Sequence, residues 1–165
     1  MPEHKGVFAA GVLLFLFTSS AGSSRELSVL ARNMLAAHNA VRKSLRIGPL
    51  WWSNKLEIKA QDWANHLVKT GKFYHRQQTA YGENLLEFTG TPANATPEEV
   101  VQAWREESLG YEYSSNICHG VCGHYTQIVW RSTRKVGCAV ARCAGREVWV
   151  CEYDPPGNVM GQKPY

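Results

Sequence analysis

The chain has 165 residues, of which 44% are hydrophobic, 19% charged and 11% aromatic. This length and apolar content suit one packed domain with a short appendage and exclude an intrinsically disordered tail. The formal net charge is +4, and no basic run exceeds two residues. The sequence therefore lacks the basic stripe of a nucleic-acid-binding protein, and we expect no nucleic-acid partner.

The N-terminal segment predicts export. Residues 7–17 (VFAAGVLLFLF) are 11 apolar residues, fewer than the roughly 20 that span a bilayer. Lys5 precedes this run and the small residues Ser19, Ser20 and Ala21 follow it. The pattern predicts a signal peptide over residues 1–21 and a single domain over 22–165. We therefore expect a secreted, extracellular protein that does not span a membrane, or one exported to the periplasm or beyond in a bacterium.

Three helices are predicted in the first two thirds of the chain. Apolar residues at helical spacing predict a first helix over residues 27–45, ended by Gly48-Pro49. A second helix begins near Ser53, and Gly71 is placed as its C-terminal cap. Thr96-Pro97-Glu98-Glu99 has the pattern of a capping box, which predicts a third helix through Trp104.

The last third has the composition of strands. Three segments, residues 125–130, 136–143 and 147–153, are rich in Val, Ile, Tyr and Trp, and residues 144–146 predict a tight hairpin loop. Helices followed by strands indicate an α+β fold with helices packed on a mainly antiparallel sheet.

All five cysteines lie between Cys118 and Cys151. Several combinations of two disulfides and one free thiol are open, and export favours disulfides. Spacing narrows the choice, because Cys118 and Cys122 flank a short loop, whereas Cys138 and Cys151 occupy corresponding ends of two strands joined by a hairpin. A rival interpretation is a zinc site built from Cys118, Cys122, His124, Cys138 and Cys143.

Two motifs carry a family resemblance. Residues 118–130 (CHGVCGHYTQIVW) resemble the signature of the CAP superfamily, which comprises cysteine-rich secretory proteins, antigen 5 and pathogenesis-related 1 proteins. Residues 151–165 resemble the second signature and the C-terminal end of the pathogenesis-related-1 type. Shorter matches occur at residues 37–42, 82–85 and 104–107. The resemblance covers nearly the whole mature chain and implies an α-β-α sandwich, with helices on both faces of the sheet.

The resemblance also implies a central cavity lined by two histidines and two glutamates: His75, Glu83, Glu107 and His124. Such a set can bind zinc through His75 and His124, with Glu83 or Glu107 as a further ligand or an orienting partner. The same groups can activate a water. Alternatively, the Glu–His hydrogen bonds are purely structural. No cofactor is required for the fold.

The resemblance supports the disulfide pairs Cys118–Cys122 and Cys138–Cys151. It leaves Cys143 as a free thiol, because the upstream stretch that holds its partner in the family, residues 71–75, contains no cysteine. We expect a monomer, with a Cys143-linked dimer as the alternative.

Some residues depart from the family pattern or lie outside the cavity. Arg76 replaces a usually small residue, and Glu152 replaces a usual Asn or similar polar residue. His38 lies on the apolar stripe of the first helix and is expected to be a buried, hydrogen-bonded histidine. Asn94 begins an N-x-T glycosylation sequon, which Pro97 directly after it disfavours.

These features favour a secreted binding module over an enzyme. No Ser, Cys or Thr lies in a nucleophile motif, so no catalytic residue is assigned. The resemblance implies a lipid, sterol or metal ligand and a defence or antimicrobial-like role outside the cell. The alternatives are a metal-assisted hydrolase that uses the His/Glu cavity, and an extracellular interaction protein or precursor of a signalling peptide from residues 155–165.

Overall fold

A four-stranded sheet lies between helices in the computed structural model, which describes Met1, residues 26–90 and residues 94–165. The predicted signal peptide, apart from Met1, lies outside the described residues. The helices are α1 (Val29–Ser44), α2 (Asn54–Thr70), α3 (Pro97–Glu106) and α4 (Gly123–Ile128), with a 3-10 helix at Glu107–Gly110. The strands are β1 (Trp51–Trp52), β2 (Gly82–Thr89), β3 (Tyr111–Glu112), β4 (Ile117–Cys118), β5 (Lys135–Cys143) and β6 (Arg146–Asp154).

Helices α2 and α3 begin where their capping residues predict. The Ser53 hydroxyl accepts a hydrogen bond from the Leu56 amide at 3.4 Å, and Gly71 ends α2 with a φ of 68°. At the start of α3, the Thr96 hydroxyl accepts from the Glu99 amide at 3.2 Å, while the Glu99 carboxylate accepts from the Thr96 amide at 2.7 Å. These reciprocal bonds satisfy donors that an uncapped helix would leave without partners.

The strand order in the large sheet is β1-β5-β6-β2. Only β1 and β5 are parallel, and the other two pairs are antiparallel, as a mainly antiparallel sheet requires. Ala144 and Gly145 form the predicted hairpin turn between β5 and β6, and both have positive φ. The short strands β3 and β4 form a separate antiparallel ribbon.

The strand predicted over residues 125–130 is wrong, because the chain forms α4 there instead. Tyr125, Ile128 and Val129 are all buried and lie three and four residues apart, which is the spacing of one helix face. The Thr126 hydroxyl donates to the Cys122 main-chain oxygen one turn earlier, at 3.0 Å. Burial against neighbouring elements thus overrides the intrinsic strand preference of these aromatic and β-branched side chains.

Helices cover both faces of the sheet, so the α+β sandwich prediction is confirmed. Helix α2 packs on one face around Trp63 and Leu67, against alternate residues of β5 and β6. Helices α1, α3 and α4 cover the other face, where Trp104, Trp149 and Tyr153 are buried in a larger core. No helix within residues 26–90 or 94–165 is long and apolar enough to cross a membrane.

Arg42 connects α1 by hydrogen bonds to the end of α4 and the segment that follows it. Its buried guanidinium donates to four main-chain oxygens, those of Gly48, Ile128, Trp130 and Thr133, at 2.7 to 3.3 Å. The arginine therefore satisfies main-chain acceptors where the chain has no regular partner strand or helix.

Two disulfides are present, and both are the predicted pairs. Cys118–Cys122 closes the loop before α4, and Cys138–Cys151 joins β5 to β6 at a rung of the sheet. Cys143 has no disulfide partner and is exposed at the end of β5. Because four of the cysteines are paired, the rival zinc site built from cysteine thiolates is wrong.

Candidate functional site

The first half of the cavity is an ion pair between His75 and Glu83. His75 follows α2, and its Nδ1 lies 2.6 Å from Oε1 of Glu83 on β2. The same carboxylate oxygen accepts a hydrogen bond from the Arg76 amide at 3.1 Å. The imidazole is largely exposed, whereas the Glu83 side chain is only 4% exposed, so the carboxylate anchors the ring from inside the protein.

The second half is formed by His124 and Glu107. Nδ1 of His124, at the start of α4, lies 2.5 Å from Oε1 of Glu107 in the 3-10 helix. The other oxygen of Glu107 accepts from the main-chain amides of His124 and Tyr125, at 3.0 and 3.2 Å. The adjacent Glu106 is exposed, so the site carboxylate is Glu107, the fourth residue of the W-x-x-E motif.

Asn84 links the two halves. It follows Glu83 in β2, and its side-chain amide donates to the main-chain oxygen of His124 at 3.0 Å and to the Tyr153 hydroxyl at 3.1 Å. The start of β2 also lies tight against α4, since a Cβ on Gly82 would be 2.1 Å from Oε1 of Gln127. The strand and the helix are therefore in close contact at the cavity.

The pKa values reflect these contacts. The hydrogen bond to Glu83 raises the pKa of His75 above its usual value, although partial burial opposes the shift. For Glu107, burial disfavours the charged form, but the hydrogen bond and charge of His124, with the two main-chain amides, outweigh it and lower the pKa. Both carboxylates are thus positioned to orient an imidazole through Nδ1.

The four predicted cavity residues form two pairs and no single preformed centre. Among the described residues, no three of them place ligand atoms within 4.8 Å of one another. The described group that does converge in this way consists of His38, Cys138 and Cys151. Its two cysteines share a disulfide, so they offer no thiolate to a metal.

His38 is a buried structural histidine. Its Nδ1 lies 2.7 Å from the main-chain oxygen of Met34, and its Nε2 lies 2.8 Å from the Tyr153 hydroxyl. Burial lowers its pKa to about 4, so the ring is neutral under physiological conditions. Tyr153 also accepts from Asn84, which connects His38 to the cavity through two hydrogen bonds.

Glu152 is a cavity residue that the motif comparison did not assign. It lies directly opposite Glu83 in the β2–β6 register and is fully buried. Neither of its carboxylate oxygens, nor Oε2 of Glu83, has a hydrogen-bond partner among the described residues. Burial, followed by the nearby charge of Glu83, raises the pKa of Glu152 to about 7. Strand register and alternation would have revealed this pairing if β2 had been predicted.

A groove of about 320 Å³ lies between α1 and α3. It is lined by Ala37, Ala40, Val41 and Val101 and by the polar residues Ser44, Glu98, Gln102 and Arg105. None of the four His/Glu cavity residues lines this surface, and no local sequence pattern predicts it.

The C-terminal segment packs against the body of the protein. Asn158 exchanges hydrogen bonds with Thr126 and Gly123 of α4, at 2.7 and 2.9 Å. Lys163 donates to the main-chain oxygen of Ser114 at 2.9 Å. The segment therefore packs against α4 and the turn between β3 and β4, and at Gly157 it lies beside Gly82, at the start of the edge strand β2.

Comparisons with known proteins identify the family. Residues 35–153 match the family model described as CAP: Cysteine-rich secretory protein family, and the chain belongs to this family. It is 42% identical to pathogenesis-related protein 1 of Arabidopsis thaliana over 130 residues, which are 78% of this chain and 78% of that protein. The resemblance predicted from the motifs is confirmed.

Solved structures agree with this assignment. Venom allergen-like protein 4 of Schistosoma mansoni superposes with a TM-score of 0.71 at 27% identity, over 84% of this chain and 95% of that one. The structure of NaASP2 with Zn²⁺ superposes with a TM-score of 0.68 at 25% identity, over 86% of this chain and 88% of that one.

Proposed function

We propose that this protein is a secreted, non-enzymatic binding module whose cavity holds a divalent metal ion, zinc above all, on His75 and His124. The observation that carries the proposal is the matched pair of carboxylate–imidazole contacts, at 2.6 and 2.5 Å through Nδ1. Nε2 of each ring has no hydrogen-bond partner among the described residues. A histidine held through one nitrogen by a carboxylate is oriented to coordinate a metal through the other.

The two glutamates have different roles in this proposal. Both oxygens of Glu107 are occupied by hydrogen bonds from His124 and Tyr125, so Glu107 orients its histidine. Glu83 also orients its histidine, through Oε1, and its buried Oε2, which has no hydrogen-bond partner among the described residues, adds negative charge that favours a nearby cation. Imidazole nitrogens are ligands that zinc accepts. NaASP2, a structural relative, has been solved with Zn²⁺.

Calorimetric titration with Zn²⁺ tests the proposal. We expect the wild-type protein to bind zinc and the double variant His75→Ala/His124→Ala to lose most of the binding heat. His119→Ala is the matched control, since His119 is an exposed histidine in the disulfide loop outside the cavity. Equal heats for the wild type and the double variant would overturn the proposal, and so would equal losses for the control and the double variant.

The α1–α3 groove supports a second ligand class, a lipid or sterol. Its apolar residues Ala37, Ala40 and Val41 suit an aliphatic chain, and the exposed charges of Arg105 and Glu98 suit a polar head group. Displacement of a fluorescent fatty acid measures this binding. Ala40→Trp should fill the groove and abolish displacement, whereas Ile58→Trp on the exposed side of α2 should have no effect. Retained binding in Ala40→Trp would contradict this assignment.

The metal-assisted hydrolase remains an alternative with less support. Among the described residues, no Ser, Thr or Cys side chain is hydrogen-bonded to His75 or His124. A zinc-dependent hydrolysis of a generic ester substrate that disappears in His75→Ala/His124→Ala would favour the enzyme over the binding module.

The extracellular defence role rests on similarity to pathogenesis-related protein 1. Growth inhibition of microbial cultures by the purified protein tests this role. The peptide-precursor alternative requires cleavage before residues 155–165 and loss of the Asn158 and Lys163 contacts. Mass spectrometry of the culture medium for that fragment separates the precursor from an intact binding module.

A further inference from the structure

Arg76 and Glu152 form a charge pair behind the His75–Glu83 half of the cavity. Nε of Arg76 lies 3.8 Å from Oε1 of Glu152, and the Glu152 side chain is fully buried. This separation is too long for a hydrogen bond, and neither group has another partner at these atoms among the described residues. The pair is therefore an ionic contact in which the Glu152 carboxylate receives no hydrogen bond from the described residues.

Glu152 faces the same side of the sheet as the cavity carboxylate. It is the direct cross-strand partner of Glu83, and directly paired residues of antiparallel strands project their side chains to one face. Three buried carboxylate oxygens without partners, Oε2 of Glu83 and both oxygens of Glu152, thus lie on one rung. Such a group is costly to bury unless a proton, a water or a cation is added.

The guanidinium of Arg76 is held in place and cannot move fully onto Glu152. Its Nη2 donates to the main-chain oxygen of Lys59 at 3.0 Å and to the Asp62 carboxylate at 2.8 Å. Its plane lies over the Trp63 ring, 4.9 Å from the centroid. Meanwhile its main-chain amide donates to Glu83. The cavity therefore carries a fixed positive charge beside a buried negative one.

We propose that Glu152 and Arg76 set the cation affinity of the cavity in opposite directions, Glu152 strengthening and Arg76 weakening the binding of a zinc-like divalent ion beside His75 and Glu83. This inference rests on the proposed metal-binding function. Both residues act through charge on the groups that bind, because a buried charge at short range is poorly screened. They are positioning residues and do not themselves coordinate the ion.

Zinc titration by calorimetry at about pH 8, where carboxyl groups are ordinarily ionised, tests the inference. We expect Glu152→Gln to weaken binding about tenfold, the lower end of the effect of groups behind metal ligands. Arg76→Gln should tighten binding several-fold, and the double variant should return close to the wild-type affinity. Glu106→Gln and Arg131→Gln, which remove exposed charges, are the matched controls and should change nothing.

Effects of opposite sign distinguish this role from a structural one, because loss of packing would weaken binding in both single variants. Equal or same-sign changes in Glu152→Gln and Arg76→Gln, with wild-type zinc binding intact, would overturn the inference and leave the proposed function standing. Absence of zinc binding by the wild type would overturn both. If one single variant unfolds, the sign of the change in the other decides the question, because Glu152→Gln must weaken binding and Arg76→Gln must tighten it.

Discussion

Asn84 donates a hydrogen bond to the main-chain oxygen of His124 at 3.0 Å, although it belongs to β2 and directly follows Glu83, the partner of His75. One buried amide therefore joins the strand that carries Glu83 to the helix that carries His124. It also donates to the Tyr153 hydroxyl, which in turn contacts His38. The relative position of the two pairs depends on this side chain, because they belong to separate segments of the chain.

Replacement of Asn84 by Ala should therefore affect both stability and zinc binding. The substitution removes the donor from two buried acceptors. Each buried acceptor that is left unpaired typically costs about 1–3 kcal/mol of folding free energy. Urea denaturation should show a loss of about 2 kcal/mol, and zinc affinity should fall with it. Asn65→Ala, which removes an exposed amide acceptor on α2, is the control and should change neither quantity. Unchanged zinc affinity in a folded Asn84→Ala protein would show that the two pairs do not act together.

Sequence periodicity predicted the elements whose ends carry their own signals. Ser53, Gly71 and the Thr96–Glu99 capping box mark helix ends through local hydrogen bonds, and the structure places the ends there. Strands β5 and β6 followed from their Val-rich composition and the turn at Ala144 and Gly145. Local chemistry sufficed for each of these elements.

The elements that periodicity missed are those whose identity depends on distant partners. Helix α4 was predicted as a strand because Tyr125 and Ile128 favour strands, and only packing against other helices decides otherwise. Strand β2 was not predicted. Both of its faces contact protein, so it lacks the apolar–polar alternation of a half-buried strand, and residues 82–85 indicate only the family resemblance. Without β2 there was no register, so the pairing of Glu83 with Glu152 was not visible in the sequence.

Substitution of Arg42 should be among the most destabilising single changes. Arg42→Met keeps much of the side-chain volume but removes the guanidinium that donates to four main-chain oxygens in the protein interior. Unpaired buried acceptors make a loss of about 3 kcal/mol or more the expected result by urea denaturation. Arg32→Met, on the exposed side of α1, should cost less than about 0.5 kcal/mol. Similar losses in the two variants would show that the Arg42 bonds contribute little.

The two disulfides should differ in their contributions to stability. Cys138 and Cys151 are separated by 13 positions, whereas Cys118 and Cys122 are separated by 4. Loop-closure entropy predicts about 3 kcal/mol for the larger loop and about 2 kcal/mol for the smaller. The double variant Cys138→Ala/Cys151→Ala should lose more stability than loop-closure entropy alone predicts, because both cysteines are fully buried and their removal leaves cavities. Equal urea midpoints for the two double variants would contradict this ranking.

The thiol count tests the pairing itself. Titration of the denatured, unreduced protein should give one free thiol per chain, that of Cys143. Cys143→Ser should reduce the count to zero and should remove any dimer seen on a non-reducing gel. A count of zero in the unaltered protein without a dimer, or of three or more, would contradict the disulfides in the structure.

Glu152 should make the protein less stable as the pH rises. Its carboxyl has a pKa of about 7 in the folded protein against 4.5 as the ordinary value, so the unfolded chain releases this proton at lower pH. Stability should therefore fall between about pH 4.5 and 7, by on the order of 3 kcal/mol for this group. Charges that act on it include those of Glu83, Arg76, Lys59 and His75. Relative to wild type, Glu152→Gln should be progressively more stable from pH 5 to pH 8 by urea denaturation, whereas a constant difference would contradict the assignment.

His38 should give the opposite pH dependence: in the acidic range, the protein should lose stability as the pH falls. Burial lowers its pKa from 6.5 to about 4, so the unfolded chain takes up this proton first and stability should be lost as the pH falls from 6.5 towards 4. The full effect is again on the order of 3 kcal/mol. Between about pH 4.5 and 6.5 it opposes the gain from Glu152, so the two contributions largely cancel in the wild type.

The single variants His38→Gln and Glu152→Gln should therefore change the pH dependence of the free energy of unfolding in opposite directions. His38→Gln keeps a side chain that can bond to the Tyr153 hydroxyl but cannot take up a proton, so it should gain stability relative to wild type as the pH falls below 6.5. Glu152→Gln should lose stability relative to wild type over the same interval, because it lacks the compensating carboxyl. Urea denaturation at half-unit steps from about pH 4 to 8 measures both curves. Parallel curves for the wild type and His38→Gln would mean that His38 does not remain neutral on folding, since only a group whose proton affinity changes on folding can alter the slope.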